Sequence, residues 1–435
     1  MGSLEGKIKD FIKEQGVEVV GLAGPERLDG PPSLDPTYIL PGARSIVSIA
    51  LPMDTDAIND WFSKSCKSNH EVDQIRKNQR TYRIGKNLAD YLISLGHRAK
   101  EVPANTDYRR SLNVVATHPS FSHRFGAIAS GIAGMGWSGN VMTMEYGAAC
   151  YLGTVVTDAV LKSDPPIPPR YFMDNFCVNC KLCAKTCVSR MFEEEGEEYV
   201  LLNGELHPRG KRRNIDFCNT SCFGLHSISS DLKWSTWGEH WINSWITEEP
   251  DPAARGKIHA TLQLKTVMAG DSAPRYDLIR RTTSKLISEE LMDEISEERL
   301  PEEEPERSRF LMEYAQRIGV KKGLRNPYPL SCGNCALVCS PSLKETADRY
   351  RTLVESGIVV PGPDGGRVRV DTFQEAVEVR RRHPRKVSVP EMIKDGLTMA
   401  GLWYGNYFGI EPRSIYQDLI YRRKLKKALK EKGLA

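Results

Sequence analysis

The cysteines constrain this chain more than any other feature. Of eleven in 435 residues, nine fall between Cys177 and Cys339, and seven of those form two tight groups. The first, Cys177-Val-Asn-Cys180-Lys-Leu-Cys183-Ala-Lys-Thr-Cys187, has the spacing C-x2-C-x2-C-x3-C. Three thiolates so spaced cup one iron–sulfur cube, and the fourth reaches across to a second cube. A zinc ribbon would use paired C-x2-C groups and needs only four ligands. The second group, Cys332-Gly-Asn-Cys335-Ala-Leu-Val-Cys339, is one thiol short of the full run. The crossed pattern predicts one cluster on Cys177, Cys180, Cys183 and Cys339. It predicts another on Cys187, Cys332, Cys335 and either Cys222 or Cys218. Val188 stands where the run usually carries proline. An odd cysteine count argues against a disulfide framework, and Cys66 and Cys150 read as isolated thiols. Two cubes make an electron wire. No further Cys or His set remains for a third metal centre, so the terminus is expected to be an organic or organometallic cofactor.

The rest of the chain divides around these groups. Residues 1–165 read as an α/β core. Leu4 to Gln15 has helical spacing, Val17 to Leu22 reads as a strand, and Ala43 to Leu51 (ARSIVSIAL) as a strand covered on both faces. Val72 to Leu95 reads as a long helix stopped by Gly96, followed by a strand near Ala99–Pro103 and another segment at Ala149 to Leu161. Ala133 to Asn140 (AGMGWSGN) is glycine-dense but is not a GxGxxG fingerprint, so a Rossmann site is not supported. Residues 166–345 form the cysteine-bearing module, with an insertion at about 223–331, and 346–435 a C-terminal extension. Within the insertion, Trp234, Trp237, Trp241 and Trp245 step by three or four, the spacing of one helical face. Ser288 to Arg309 is strongly acidic and reads as a solvated helix and loop. Arg422 to Lys432 reads as a frayed basic helix.

The balance of 60 basic against 56 acidic residues gives +4. So small an excess does not argue for a nucleic-acid partner. No stretch approaches about 18 consecutive apolar residues, so no membrane span is expected. Met1 to Gly16 lacks the apolar region of a secretory signal, and the expectation is a cytoplasmic protein.

Pro36 to Pro52 (PTYILPGARSIVSIALP), AGMGWSGN, Glu145-Tyr146-Gly147 and Leu152 to Asp158 (LGTVVTD), followed by the cysteine run, resemble the reductive dehalogenase and epoxyqueuosine reductase superfamily. The resemblance covers roughly residues 15–345. It implies a nitroreductase-like α/β core that binds base-off cobalamin, beside a ferredoxin-like module with two [4Fe-4S] clusters. It implies electron flow through the clusters to cobalt, the cofactor carrying the hard chemistry. Epoxyqueuosine reductases act on a modified base in transfer RNA and keep a catalytic Asp where this chain has Thr117-His118-Pro119-Ser120-Phe121-Ser122-His123. Val102-Pro103-Ala104-Asn105 and Cys222-Phe-Gly-Leu-His226 resemble the dehalogenase branch, which also prefers Cys222 over Cys218 as ligand. No twin-Arg leader is present, so the expected activity is that of a cytoplasmic, non-respiratory dehalogenase. Such an enzyme would remove halide from a small organohalide, with electrons from a ferredoxin, flavodoxin or reductase.

The same resemblance supplies site residues. Dehalogenases of this type use a Tyr proton donor supported by a cation that lowers its pKa. Tyr108 and Arg170 are the candidates, with His123 and His118 as alternative acids. Asn105, Gly136, Trp137, Ser138, Gly139, Asn140 and His226 are the candidate corrinoid contacts. Tyr146 is read as structural, and the tryptophans first as a core stripe and second as a substrate wall. The alternatives are a transfer-RNA-modifying reductase and a non-catalytic ferredoxin-type electron carrier.

Overall fold

The structure, a computed structural model, describes residues 2–104, 108–109, 118–213, 218, 221, 226–238, 285–287, 301, 306–319, 332–362, 367–383, 390 and 411–434. Its first helices in chain order are α1 (Leu4–Glu14), α2 (Thr55–Ser63), α3 (Ser68–Ser94), α4 (His123–Ala129) and α5 (Leu182–Lys185). Its first strands are β1 (Val19–Ala23), β2 (Ser45–Pro52), β3 (Ala99–Val102), β4 (Tyr108–Arg109), β5 (His118–Pro119), β6 (Gly134–Met135), β7 (Val141–Met142), β8 (Cys150–Thr157), β9 (Phe192–Leu202) and β10 (Glu205–Arg212).

Four strands form an antiparallel sheet in the order β1-β2-β8-β3. Side chains alternate across a strand, and β2 uses both faces. Val47, Ile49 and Leu51 meet Ile8 and Ile12 of α1 and Ile84, Leu88 and Leu92 of α3. Ile46 and Ala50 meet Ala127 to Ala129 of α4, with Phe121 and Leu34. That two-sided burial is why the strand reads as a continuous apolar run. The long helix begins four residues earlier than expected, at Ser68. Its stop is as expected, since Gly96 adopts φ +90° just beyond the Leu95 cap.

Beside this sheet, β9 and β10 make a hairpin whose turn is Asn203-Gly204, both at positive φ. Two left-handed residues give the tight turn that matches strand twist. Val200 and Leu202 of the hairpin reach the sheet's core. A further cluster joins all three parts of the chain. Ile58, Trp61 and Phe62 of α2 pack with Val188, Trp234, Trp237, Leu337 and Val338, and with Leu353 and Val359 of the C-terminal part.

Two sequence expectations need correction. The helical face proposed for Trp234 onward is not formed at its start. Asp231 Oδ1 accepts from the Ser229 hydroxyl at 2.7 Å and the Lys233 amide at 3.2 Å, and Ile228 bridges to Ser235. These local bonds divert the backbone from helix. Trp234 and Trp237 are each 5% exposed in the core, so they offer no substrate wall. Trp241 and Trp245 lie outside the described residues. The basic C-terminus belongs to a 20-residue helix, Pro412–Glu431, that is docked rather than frayed. Arg413 bonds Asp35, Gln417 bonds Asp35 and Arg109, Tyr421 accepts from the Leu201 amide, and Lys424 pairs with Asp29. Of the acidic stretch, the described end continues into the helix Glu306–Arg317.

Candidate functional site

Each cysteine run folds into a tight turn ending in a one-turn helix. In the first run Lys181, at φ 49°, precedes α5; in the second Gly333, at φ 135°, precedes the helix Asn334–Leu337. The two helices pack together. Asn334 is buried between the runs, accepting from the Trp61 indole at 3.4 Å and donating to the Thr186 carbonyl at 3.5 Å.

Packing the runs face to face sorts their thiols into two sets. Cys177, Cys180, Cys183 and Cys339 line one hollow, together with Trp137, Met142, Phe176, Lys181 and Val338. Thiolate charge at Cys187 and Cys218 bears on Cys335, and charge at Cys335 and Cys187 on Cys332. Cys187, Cys218, Cys332 and Cys335 are thus near neighbours, and Cys335 acts on Cys183 and Cys339 as well. Cys218 lies beside Cys335, and Cys222, which the resemblance prefers as ligand, lies outside the described residues. Burial pushes the Cys177 and Cys335 thiols up to about 11 and those of Cys332 and Cys339 up to about 12. Such thiols are protonated at neutral pH in the absence of metal, so a metal that binds them must release protons.

The donor set fits iron–sulfur clusters. Four sulfurs around an apolar hollow suit a cube, whose thiolates stand farther apart than the ligands of a single ion. N–H groups are aimed at the sulfurs: Trp137 N at Cys177 Sγ (3.4 Å), Met191 N at Cys187 Sγ (3.4 Å) and Asn140 Nδ2 at Cys335 Sγ (3.3 Å). Lys64, fully buried and in a left-handed conformation at the end of α2, lies close enough for the charge of Cys332 to act on it. Burial pushes its ammonium down to about 7.

The candidate corrinoid contacts are distributed differently. Gly136 to Asn140 form the turn between β6 and β7, closed by Gly136 N to the Asn140 carbonyl at 3.0 Å. The Trp137 ring lies between the Gly210 backbone and the Lys181 ammonium, 4.1 Å from its centroid, and Arg212 bonds the Ser138 carbonyl. The turn's N–H groups are directed at thiols and its Ser138 carbonyl at the hairpin, and no step is derived through a corrin ring. His226 is buried, and burial foremost, with the Arg190 charge, lowers its imidazole to about 4. Asn105 lies outside the described residues.

Tyr108 and His118 lie on paired strands just before His123, and Arg170 is engaged by other partners. Arg170 is half-exposed and held by Asp174 and Glu197, which occupies the guanidinium that was expected to support a tyrosine. Tyr108 lies in β4, paired with β5, and its side chain is outside what is described, as is that of His118. His123 is half-buried at the start of α4, with Nδ1 2.9 Å from the Thr154 hydroxyl and its pKa lowered by burial to about 4. A neutral imidazole of that kind is a poor acid. Between Tyr108 and the fold stands Arg109, 1% exposed. It lies over the Tyr38 ring at 4.0 Å and bonds the carbonyls of Ser120 and Asp35.

No protein-family model matches the chain. An epoxyqueuosine reductase of Gloeobacter violaceus is 25% identical over 214 residues, which are 43% of this chain and 60% of that protein. Another, of Bacillus cereus, is 25% identical over 166 residues, 38% of this chain and 40% of that protein. Both of these relatives are epoxyqueuosine reductases. The chain spans 60% or less of the length of these relatives. Among solved structures, a catabolic reductive dehalogenase in complex with 3-bromo-4-hydroxybenzoic acid aligns over 58% of this chain and 35% of its own. Its TM-score is 0.38 at 16% identity. An epoxyqueuosine reductase with a modified transfer-RNA stem loop aligns over 73% of this chain and 99% of its own, with TM-score 0.34 at 16% identity.

Sequence reading missed the β9–β10 hairpin, which backs Trp137, and Lys64 beside Cys332. The hairpin had a signal, Asn203-Gly204 between Tyr-Val-Leu-Leu and Glu-Leu-His. Lys64 had none, because only the fold brings it to the cysteines.

Proposed function

We propose that this chain is an iron–sulfur reductase with two [4Fe-4S] clusters, one on Cys177, Cys180, Cys183 and Cys339, the other on Cys187, Cys218, Cys332 and Cys335. The observation that carries this reading is that Cys339 of the second run lines one hollow with Cys177, Cys180 and Cys183 of the first. Bound clusters supply one-electron transfer at low potential. The chain's residues hold the thiolates at fixed spacing, donate N–H bonds to sulfur, and wall the first hollow with Trp137, Met142 and Phe176 against water.

Homology to epoxyqueuosine reductases puts an epoxide-bearing modified nucleoside of transfer RNA first among substrates. A nucleic-acid partner, not expected from net charge, follows from that choice. Reductive dehalogenation is the second reading. It is favoured by the segment His118 to His123, which has no aspartate to serve as the transfer-RNA branch's acid.

The test begins with anaerobic reconstitution and counts about eight irons and sulfides per chain. Cobalt is measured after incubation with cobalamin, the acceptor that the resemblance implies. Transfer RNA carrying epoxyqueuosine and a panel of aryl and alkyl halides are then offered with a low-potential reductant. Queuosine by mass spectrometry of nucleosides supports the first substrate, and halide release the second. Protein that takes up no iron overturns the whole reading.

A further inference from the structure

We propose that the turn Trp137–Asn140 serves the thiol groups and not a corrinoid, and that Asn140 is a positioning residue that sets the reduction potential of the cluster on Cys187, Cys218, Cys332 and Cys335. The inference rests on the iron–sulfur reading above. Within four residues the turn donates to one sulfur of each set: Trp137 N to Cys177 Sγ at 3.4 Å and Asn140 Nδ2 to Cys335 Sγ at 3.3 Å. It is thus a single rigid element in contact with both.

The rigidity is built in. Gly139, at φ +74°, closes the turn by donating to the Gly136 carbonyl at 2.9 Å. Arg212 Nη2 holds the Ser138 carbonyl at 3.0 Å. The Ser138 hydroxyl in turn orients Asn140, accepting from its backbone N at 3.3 Å and its side-chain Nδ2 at 3.1 Å. A thiolate only accepts hydrogen bonds, so the amide nitrogen and not its oxygen must face Cys335. One Asn140 N–H is therefore committed to sulfur and the other to Ser138.

A cluster gains one negative charge when a low-potential one-electron donor reduces it and is itself oxidised. An N–H aimed at a ligand sulfur stabilises the more negative state and raises the potential. Removing it lowers the potential of that cluster alone. The other cluster has its own donor, the Trp137 backbone, which a side-chain substitution at residue 140 leaves in place.

The experiment is a dithionite titration of the reconstituted full chain, followed by electron paramagnetic resonance, for the parent, Asn140→Ala and Asn140→Asp. Iron is counted first, which separates failure of the cluster reading from failure of this one. The expected result is one midpoint moving down in Asn140→Ala and further in Asn140→Asp, where a carboxylate faces the thiolate, while the second midpoint stays. Loss of one cluster's iron from both variants, with the other cluster retained, also supports the assignment. Full iron with both midpoints unmoved overturns it, as does loss of both clusters together. A fall in cobalamin uptake in Asn140→Ala with both midpoints unmoved would return the turn to the corrinoid.

Discussion

Replacing Gly210 with alanine probes how the hairpin holds the first thiol set. A Cβ at residue 210 would sit 2.6 Å from Cε2 and Nε1 of Trp137 and 3.0 Å from Cδ1. To regain an ordinary contact of 3.4 Å the indole must retreat by about 0.8 Å. It has little room, being 5% exposed with the Lys181 ammonium 4.1 Å from its centroid. Its backbone is tied at both ends, the carbonyl to Gly210 N at 2.8 Å and the amide to Cys177 Sγ. Overpacking of this kind costs about 1–3 kcal/mol. Alanine returns about 0.5–1 kcal/mol in strand entropy, so the net destabilisation is about 0–2.5 kcal/mol. Anaerobic urea unfolding followed by tryptophan fluorescence should show a lower midpoint with an unchanged slope, and a chelator should strip iron faster from the variant. A midpoint above the parent's, or an equal midpoint with iron stripped no faster, would refute the packing of β10 on Trp137.

Three other outcomes are expected. Cys339→Ala should lose about half of the iron, since a thiol far along the chain completes the first cube; full retention would break the crossed assignment. Cys218→Ala should strip the second cluster and Cys222→Ala should not, as read by iron content and paramagnetic signal; the reverse result would restore Cys222 as ligand. Stability should fall as pH drops from about 6.5 towards about 4. His70, His207 and His226 are buried, and burial, with Lys67 acting on His70 and Arg190 on His226, lowers each to about 4. The unfolded chain then binds more protons over that window, so the folded state loses on the order of 3 kcal/mol per histidine across it at most. Urea midpoints at pH 7 and pH 5 would check the sign, and an unchanged midpoint would show that these imidazoles are not held neutral.

What the sequence disclosed follows from how local each signal is. Strand β2 and helix α3 were legible because burial on two faces, or on one helical stripe, writes a period into the residues themselves. The first cysteine run was legible because its ligands share one turn. Its closure by Cys339 was legible only through the crossing rule, since the two lie far apart in the chain. Cys218 against Cys222 was not decidable by spacing, as both precede the second run by over a hundred residues. The tryptophan spacing misled because Asp231 and Ser229 capture backbone groups before a helix can form. The AGMGWSGN segment was legible as a tight turn from its glycines, but that it lies against Gly210 and Cys335 was not, since neither is near it in sequence.

The distance between the cysteine runs has a physical consequence for how the site tolerates change. Closing a loop costs an entropy that grows only as the logarithm of its length, about 0.6 kcal/mol for each doubling. Residues between Cys222 and Cys332 can therefore vary greatly at little cost to bringing the runs together. The turns within the runs have no such freedom. Gly333 at φ 135° has a conformation that a side chain would strain, and Asn334 must satisfy Trp61 and Thr186 at once. An insertion of flexible residues near residue 270 should leave the iron count and both midpoint potentials unchanged. One residue inserted between Cys332 and Cys335 should abolish the second cluster. If the distant insertion also emptied that cluster, residues of the long intervening segment would have to be part of the site, and Cys187, Cys218, Cys332 and Cys335 would not be a sufficient cradle.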